Sequence, residues 1–186
     1  MNITELKDTL SQFADRLKEA LFELGIYELC MPLSVDHICI RLDTTQSVDE
    51  VKESLLKDGS VISQATINGR DIFIIQLRTP LSFGTWSISG IELPYPKLPS
   101  TYQNGWEHVE FILPKAENTA AGIQEAFSTC FPKLSVKSLI AEYEYKVDEP
   151  HSKTDQMPNP TIGLRVNGVG IKFHAQSIQE VVGFKE

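Results

Sequence analysis

One fragment occurs twice in this chain: Asp36-His37-Ile38-Cys39-Ile40-Arg41-Leu42 and, 71 residues later, Glu107-His108-Val109-Glu110-Phe111-Ile112-Leu113. Each copy reads acid, histidine, then alternation. In an extended strand successive side chains point to opposite faces, so His37, Cys39 and Arg41 share one face and Ile38, Ile40 and Leu42 the other. His108, Glu110 and Ile112 repeat that division against Val109, Phe111 and Leu113. Two strands that each set a histidine on the polar side of an apolar ribbon imply a duplicated unit with a site between its copies. Histidine is the commonest metal ligand and a proton-transfer group near neutral pH, so that site is a candidate for chemistry.

The flanking sequence supports duplication. After the first histidine strand, Ser47-Val48-Asp49-Glu50 has the form of a capping box and predicts a helix with Val48, Val51, Leu55 and Leu56 inward, ending at Gly59. Strand-like stretches follow at 60–67, 71–78 and 85–93, the first two joined by the turn signal Asn68-Gly69. Pro94, Pro96 and Pro99 then mark a linker. The second half opens with a strand over 106–113 and a helix whose apolar set is Ala121, Ile123, Ala126, Phe127 and Cys130. Residues 136–147 read as an alternating strand, 148–160 as a polar loop carrying an exposed His151, and 161–166 with 169–175 as a hairpin around Asn167-Gly168. Both halves thus read β-α-β-β-β, an α+β class. Ahead of them, Leu6, Leu10, Phe13, Leu17, Leu21 and Leu24 recur at spacings of three and four, one face of a helix that Thr4 can cap and Gly25 can end. It lies outside the repeat and reads as packing that covers the sheet or a partner.

Composition narrows the function. A formal charge of −8 and a pI near 5.0, with no basic stripe, disfavour nucleic acid. No glycine-rich phosphate loop is present. No apolar run approaches the roughly 18 residues that span a membrane, and Glu5, Lys7 and Asp8 do not suit a signal peptide, so a soluble cytoplasmic protein is expected. Cys30, Cys39 and Cys130 show no C-x-x-C spacing and read as reduced thiols.

Tandem β-α-β-β-β units with a histidine early in each first strand resemble the vicinal oxygen chelate superfamily, which includes glyoxalase-like isomerases, epimerases, extradiol dioxygenases and antibiotic-resistance proteins. The pattern covers about residues 34–178. Within it, 36–41, Trp106-Glu107-His108-Val109-Glu110-Phe111 and Ile171-Lys172-Phe173-His174 are similar to the bacterial YecM family, which carries the same kind of N-terminal helix. The resemblance implies one compact structure made of an extension (1–33) and two units (34–99 and 100–186) whose curved, barrel-like mixed sheet forms a cup. It also implies a metal site with ligands from the first and last strands of both units, the units pairing within one chain or across subunits. His37 and His108 match the first-strand positions, and Glu92 in Gly90-Ile91-Glu92-Leu93 the last-strand glutamate. Lys172 stands opposite Glu92 in Gly170-Ile171-Lys172-Phe173, where a charged lysine cannot ligate. His174, two residues on and on the same face, is expected to supply the fourth ligand.

The resemblance thus implies one divalent metal held by His37, Glu92, His108 and His174, and such donors accept zinc, nickel, manganese or iron. Glu110, on His108's face, is the expected general base. Alternation places Arg41, Gln76, Arg78, Arg165 and Lys172 in an unusually polar cup, where Arg41, Arg78, Arg165 and Lys172 would favour a small anionic substrate. Cys39 also points inward but lacks an activating base, and Trp86 and Trp106 read as pocket walls or core. The expected activity is metal-assisted proton transfer by an isomerase or lyase. An Fe(II)-dependent dioxygenase without His174 as ligand, and a non-catalytic binding protein, stay open beside it, as does a pair of inert core histidines.

Overall fold

The structure, a computed structural model, describes residues 3–97, 99, 104–150, 152 and 155–184. Helix α1 (Ile3–Glu23) and a single turn, α2 (Tyr27–Cys30), precede the first unit: β1 (Val35–Arg41), α3 (Thr45–Leu55), β2 (Gly59–Ile67), β3 (Arg70–Phe83) and β4 (Trp86–Pro94). The second unit is β5 (Gly105–Ile112), α4 (Ala120–Cys130), α5 (Val136–Glu142), β6 (Glu144–Asp148), β7 (Thr161–Val166) and β8 (Val169–His174), and α6 (Ile178–Val181) follows it. All eight strands form one curved, unclosed sheet in the order β2-β3-β4-β1-β5-β8-β7-β6. The mixed α+β cup expected from the sequence is the fold observed. His151 lies outside the described residues, and so does the side chain of Leu6.

Local signals explain most boundaries. Helix α1 ends in a Schellman turn: Gly25, at φ +68°, donates to the Phe22 carbonyl and Ile26 to that of Leu21. It begins at Ile3, so Thr4 lies inside the first turn rather than at the cap. Its buried face, Leu10, Phe13, Leu17, Leu21 and Leu24, shares one core with Ile38, Ile40, Val109 and Phe111, on the opposite side of β1 and β5 from the histidines. The cap of α3 is Thr44, whose hydroxyl accepts from the Ser47 amide, three residues before the expected box. Gly59 is the first residue of β2, not a helix stop. Residues 136–142 are helical because Val136, Leu139 and Ile140 follow a three-and-four spacing, and the alternation of Tyr143, Tyr145 and Val147 covers only the strand that follows. Strand β3 runs on to Phe83 through a register irregularity between Gln76 and Leu81, where Pro80 could not donate to a ladder.

The two units meet at a central antiparallel pair, β1 with β5, in which Ile38 faces Val109. Outside it each unit repeats the same parallel pairing: β1 on β4 puts His37 opposite Gly90 and Cys39 opposite Glu92, and β5 on β8 puts His108 opposite Gly170 and Glu110 opposite Lys172. The two glycines are equivalent and sterically required. A Cβ on Gly90 would lie 2.8 Å from the Asp36 carbonyl oxygen and 2.9 Å from His37 Cβ, and one on Gly170 only 2.6 Å from His108 Cβ. Gly90→Ala and Gly170→Ala are each expected to cost about 1–3 kcal/mol through this overpacking. Urea denaturation should show it, and a midpoint unchanged in both variants would contradict the close approach.

Candidate metal centre

Strand pairing alone would set the two imidazoles on one face, but a pair of bulges completes their environment. Along β1 and β5 the register slips by one residue at Asp36, between the pairs Val35–Phe111 and His37–Glu110, and again at Glu107, between Cys39–His108 and Ile40–Trp106. A bulged residue leaves strict alternation and its side chain is re-aimed. Asp36 Oδ2 accordingly lies 2.8 Å from His37 Nδ1, and Glu107 Oε2 lies 3.0 Å from His108 Nδ1. Each carboxylate holds its ring from behind and leaves Nε2 pointing into the cup, the arrangement by which metal-ligating histidines are oriented.

At the base of the cup, His37, Glu92, His108 and Glu110 bring four donor atoms within 4.8 Å of one another, with His37, His108 and Glu110 buried and the Glu92 side chain 12% exposed. His37 Nε2 is 3.6 Å from Glu92 Oε2 and 3.3 Å from Glu110 Oε1; His108 Nε2 is 3.7 Å and 3.2 Å from the same two atoms. Four donors about 2.1 Å from one tetrahedral ion would lie about 3.4 Å apart, so these separations fit a single coordination sphere. Lys172 completes the group, with Nζ 2.7 Å from Glu110 Oε1 and 3.0 Å from His108 Nε2.

Protonation follows from this crowding. Burial alone would push His37 down, but the Glu110 charge and contacts to Asp36, Glu110 and Glu92 hold it well above its ordinary value. His108 is raised as well: burial and the Lys172 ammonium oppose the proton, while Cys39 and Glu107 favour it and prevail. Burial would raise Glu92 and Glu110, yet the adjacent histidines and Lys172 hold both well below the usual carboxylate range. The crowding thus favours protons on the imidazoles and charge on the carboxylates, and a dication bound there would compete with those protons.

The structure brings some of the expected site residues together and separates others. His37, Glu92 and His108 converge, and Glu110 joins them as a donor. His174 does not: fully buried, it sets Nε2 3.5 Å from Asp36 and Nδ1 3.4 Å from Asn159, behind the cluster. The reason is register, since His174 pairs with Ile112, beyond Glu110, while Lys172 occupies the level of the donors. Arg78 turns away from the cup, 71% exposed, to pair with Asp58 and donate to the Lys57 carbonyl. Arg41 and Arg165 both bind Glu107, at 2.6 Å and 3.1 Å, and Arg165 also reaches Glu144. Cys39 is fully buried, and burial together with Glu92 raises its thiol, as suits an unreactive group. Trp106 and Trp86 pack with the core.

Above the donors lies a cavity of about 310 Å³, reached by His37, Arg41, Glu92, Glu110 and Lys172 from below. The cup is less polar than alternation suggested, because Ile72 and Ile74 occupy the cavity side of β3. Asp36 and Glu107 were the residues whose role alternation concealed, although the repeated acid before each histidine was the signal.

The whole chain matches known proteins. The model of the YecM protein family covers residues 2–185. The chain belongs to the YecM family. It is 30% identical over 192 residues to Protein YecM of Escherichia coli K12, and 30% identical over 195 residues to an uncharacterized protein of Haemophilus influenzae Rd, covering all of this chain and 96% of each relative. A solved structure described as Structural Genomics, Protein EC4020 superposes with a TM-score of 0.80 at 27% identity, covering 99% of this chain and 93% of that one. Among the described residues no helix is long and apolar enough to cross a membrane.

Because ligation needs unprotonated Nε2 atoms, a divalent ion must release protons from His37 and His108, and its affinity is expected to rise with pH until the pH passes the raised values of the two histidines. Calorimetry of zinc binding in buffers of different ionisation enthalpy would read the released protons; pH-independent binding without release would contradict the arrangement. The sign for folding is opposite. The raised His37 value contributes stability to metal-free protein that is fully present below its ordinary 6.5 and is lost as pH rises through the folded-state value.

Proposed function

We propose that this YecM-family protein is a divalent-metal-dependent enzyme of the vicinal oxygen chelate type, an isomerase or lyase acting on a small anionic metabolite by metal-assisted proton transfer. The observation that carries the reading is the meeting of four donors from the adjacent strands β4, β1 and β5, three of them (His37, Glu92 and Glu110) lining the cavity, with a carboxylate behind each imidazole. Two imidazoles and two carboxylates accept zinc, nickel, manganese or iron(II). Such an ion, when bound, supplies Lewis-acid polarisation of a substrate's adjacent oxygens and so acidifies the neighbouring C–H.

The chain's own groups have separate tasks in this proposal. Asp36 and Glu107 keep His37 and His108 in the tautomer that presents Nε2. Glu110 is the fourth donor of the resting site and the group placed to take the substrate proton. The Lys172 ammonium on its Oε1 keeps this carboxylate ionised and so open to a proton. Lys172, and Arg41 at the cavity edge, face the substrate's anionic group. Arg165 acts through Glu107, and Arg78 and His174 have no direct part.

Proton abstraction can be read without knowing the product. Metal-loaded protein in D2O with a panel of 2-oxo acids is expected to exchange C3 protons for deuterium, followed by proton NMR, at a rate that falls about 10²–10⁴-fold in Glu110→Gln. Exchange at the parental rate in that variant would remove Glu110 from the role. Oxygen uptake with Fe(II) in place of exchange would move the protein to the dioxygenase reading.

A further inference from the structure

The two sides of the cavity differ in chemistry. One is formed by the β2–β3 hairpin, where Ala65, Ile67, Ile72 and Ile74 make an apolar strip bordered by Ser63, Asn68 and Arg70. The other carries Lys146 and Asp148 from β6, Thr161 from β7 and Lys172 from β8. Their difference is not a by-product of core packing. Ile72 and Ile74 lie on the opposite side of β3 from Phe73 and Ile75, which belong to the core, and the core does not include them. In β2 the half-buried Ala65 and Ile67 alternate with exposed Gln64 and Thr66, and no residue of the strand is fully buried. Ala65 and Ile67 therefore have the cavity as their shelter.

The apolar side is extended by α6, which contributes Ile178, Val181 and Val182. This helix is tied to the metal end, because the Ile178 amide donates to Asp36 Oδ2 at 3.0 Å, the same oxygen that holds His37. Apolar surface on two separate elements thus faces a floor of ionised groups across one space of about 310 Å³. That volume is at the lower end of pockets that enclose a whole small ligand, and a ligand of two or three carbons would leave the hydrocarbon surface facing water.

We propose that the substrate is an amphipathic acid: a carboxylate with an oxygen on the adjacent carbon at the metal end, and a hydrocarbon body lying against the β2–β3 hairpin and α6. This deepens the metal-dependent reading above and rests on it. The polar end is held by the donors and Lys172, and length selectivity comes from burial of the body. Each buried methylene contributes about 0.8 kcal/mol, which is about fourfold in affinity.

The test is calorimetric titration of zinc-loaded protein with pyruvate, 2-oxobutyrate, 2-oxohexanoate and 2-oxooctanoate. Affinity is expected to rise about fourfold per methylene until the body fills the cavity. Ile74→Thr and, independently, Val182→Thr should each shrink the ratio of the 2-oxooctanoate to the pyruvate affinity by about fivefold or more, as expected for a wall made polar. Two variants on separate elements guard against one that fails to fold. Metal-dependent binding of pyruvate with no gain along the series would overturn this inference alone. Absence of binding by all four acids would also overturn it. If the long acids bind equally well to the His37→Ala/His108→Ala protein, the metal-dependent reading fails while recognition of the hydrocarbon body stands.

Discussion

The antiparallel pairing of β1 with β5 is the constraint on which the rest of the molecule depends. It joins the two units edge to edge, sets His37 opposite Glu110 and Cys39 opposite His108, and leaves each histidine strand a free outer edge for its own parallel partner. A one-residue slip in a strand exchanges its faces, and here it would drive the imidazoles into the core. The apolar side, where α1 packs with Ile38, Ile40, Val109 and Phe111, makes that slip costly. Hydrophobic burial on one face of the sheet thereby fixes polar geometry on the other.

The polar face does not pay for itself in stability. Withdrawing carboxylates, imidazoles and an ammonium from water costs several kcal/mol per ion before pairing, and replacing such a cluster by well-packed apolar residues is often neutral or stabilising. The cluster is nonetheless built symmetrically in its supports, Asp36 with Glu107 and Gly90 with Gly170, and asymmetrically at the next matching positions, Cys39 against Glu110 and Glu92 against Lys172. The common frame is the parallel pairing that both halves share, β1 on β4 and β5 on β8. The exchange of acid between inner and outer strands still assembles two imidazoles and two carboxylates, and it adds one ammonium, Lys172, opposite Glu110.

How much of this was legible in the sequence depended on whether a residue obeyed strict periodicity. The strand alternation in the repeated fragment placed His37, His108 and Glu110 on one face, and the resemblance carried by Gly90-Ile91-Glu92-Leu93 supplied Glu92. Asp36 and Glu107 escaped because bulges break the alternation at those two residues. His174 was misplaced because a shared strand face does not give the level along the strand: it lies one pair beyond the donors. Arg78 followed the same face rule but sits past the cavity, where β3 bends toward its irregularity at Pro80. The short helix at 136–142 was hidden because the apolar residues of a brief segment satisfy two periods at once, and the apolar side of the cavity because alternation does not distinguish side chains that face a core from those that face a pocket.

The most direct test is the metal content of untagged protein purified without chelator, measured by elemental analysis beside a His37→Ala/His108→Ala variant of verified folding. About one divalent ion per chain, lost in the variant, is the predicted result, since four donors converge on one coordination sphere. A folded wild-type protein that carries no metal and takes none up on titration with zinc, nickel, manganese or iron(II) would contradict the account.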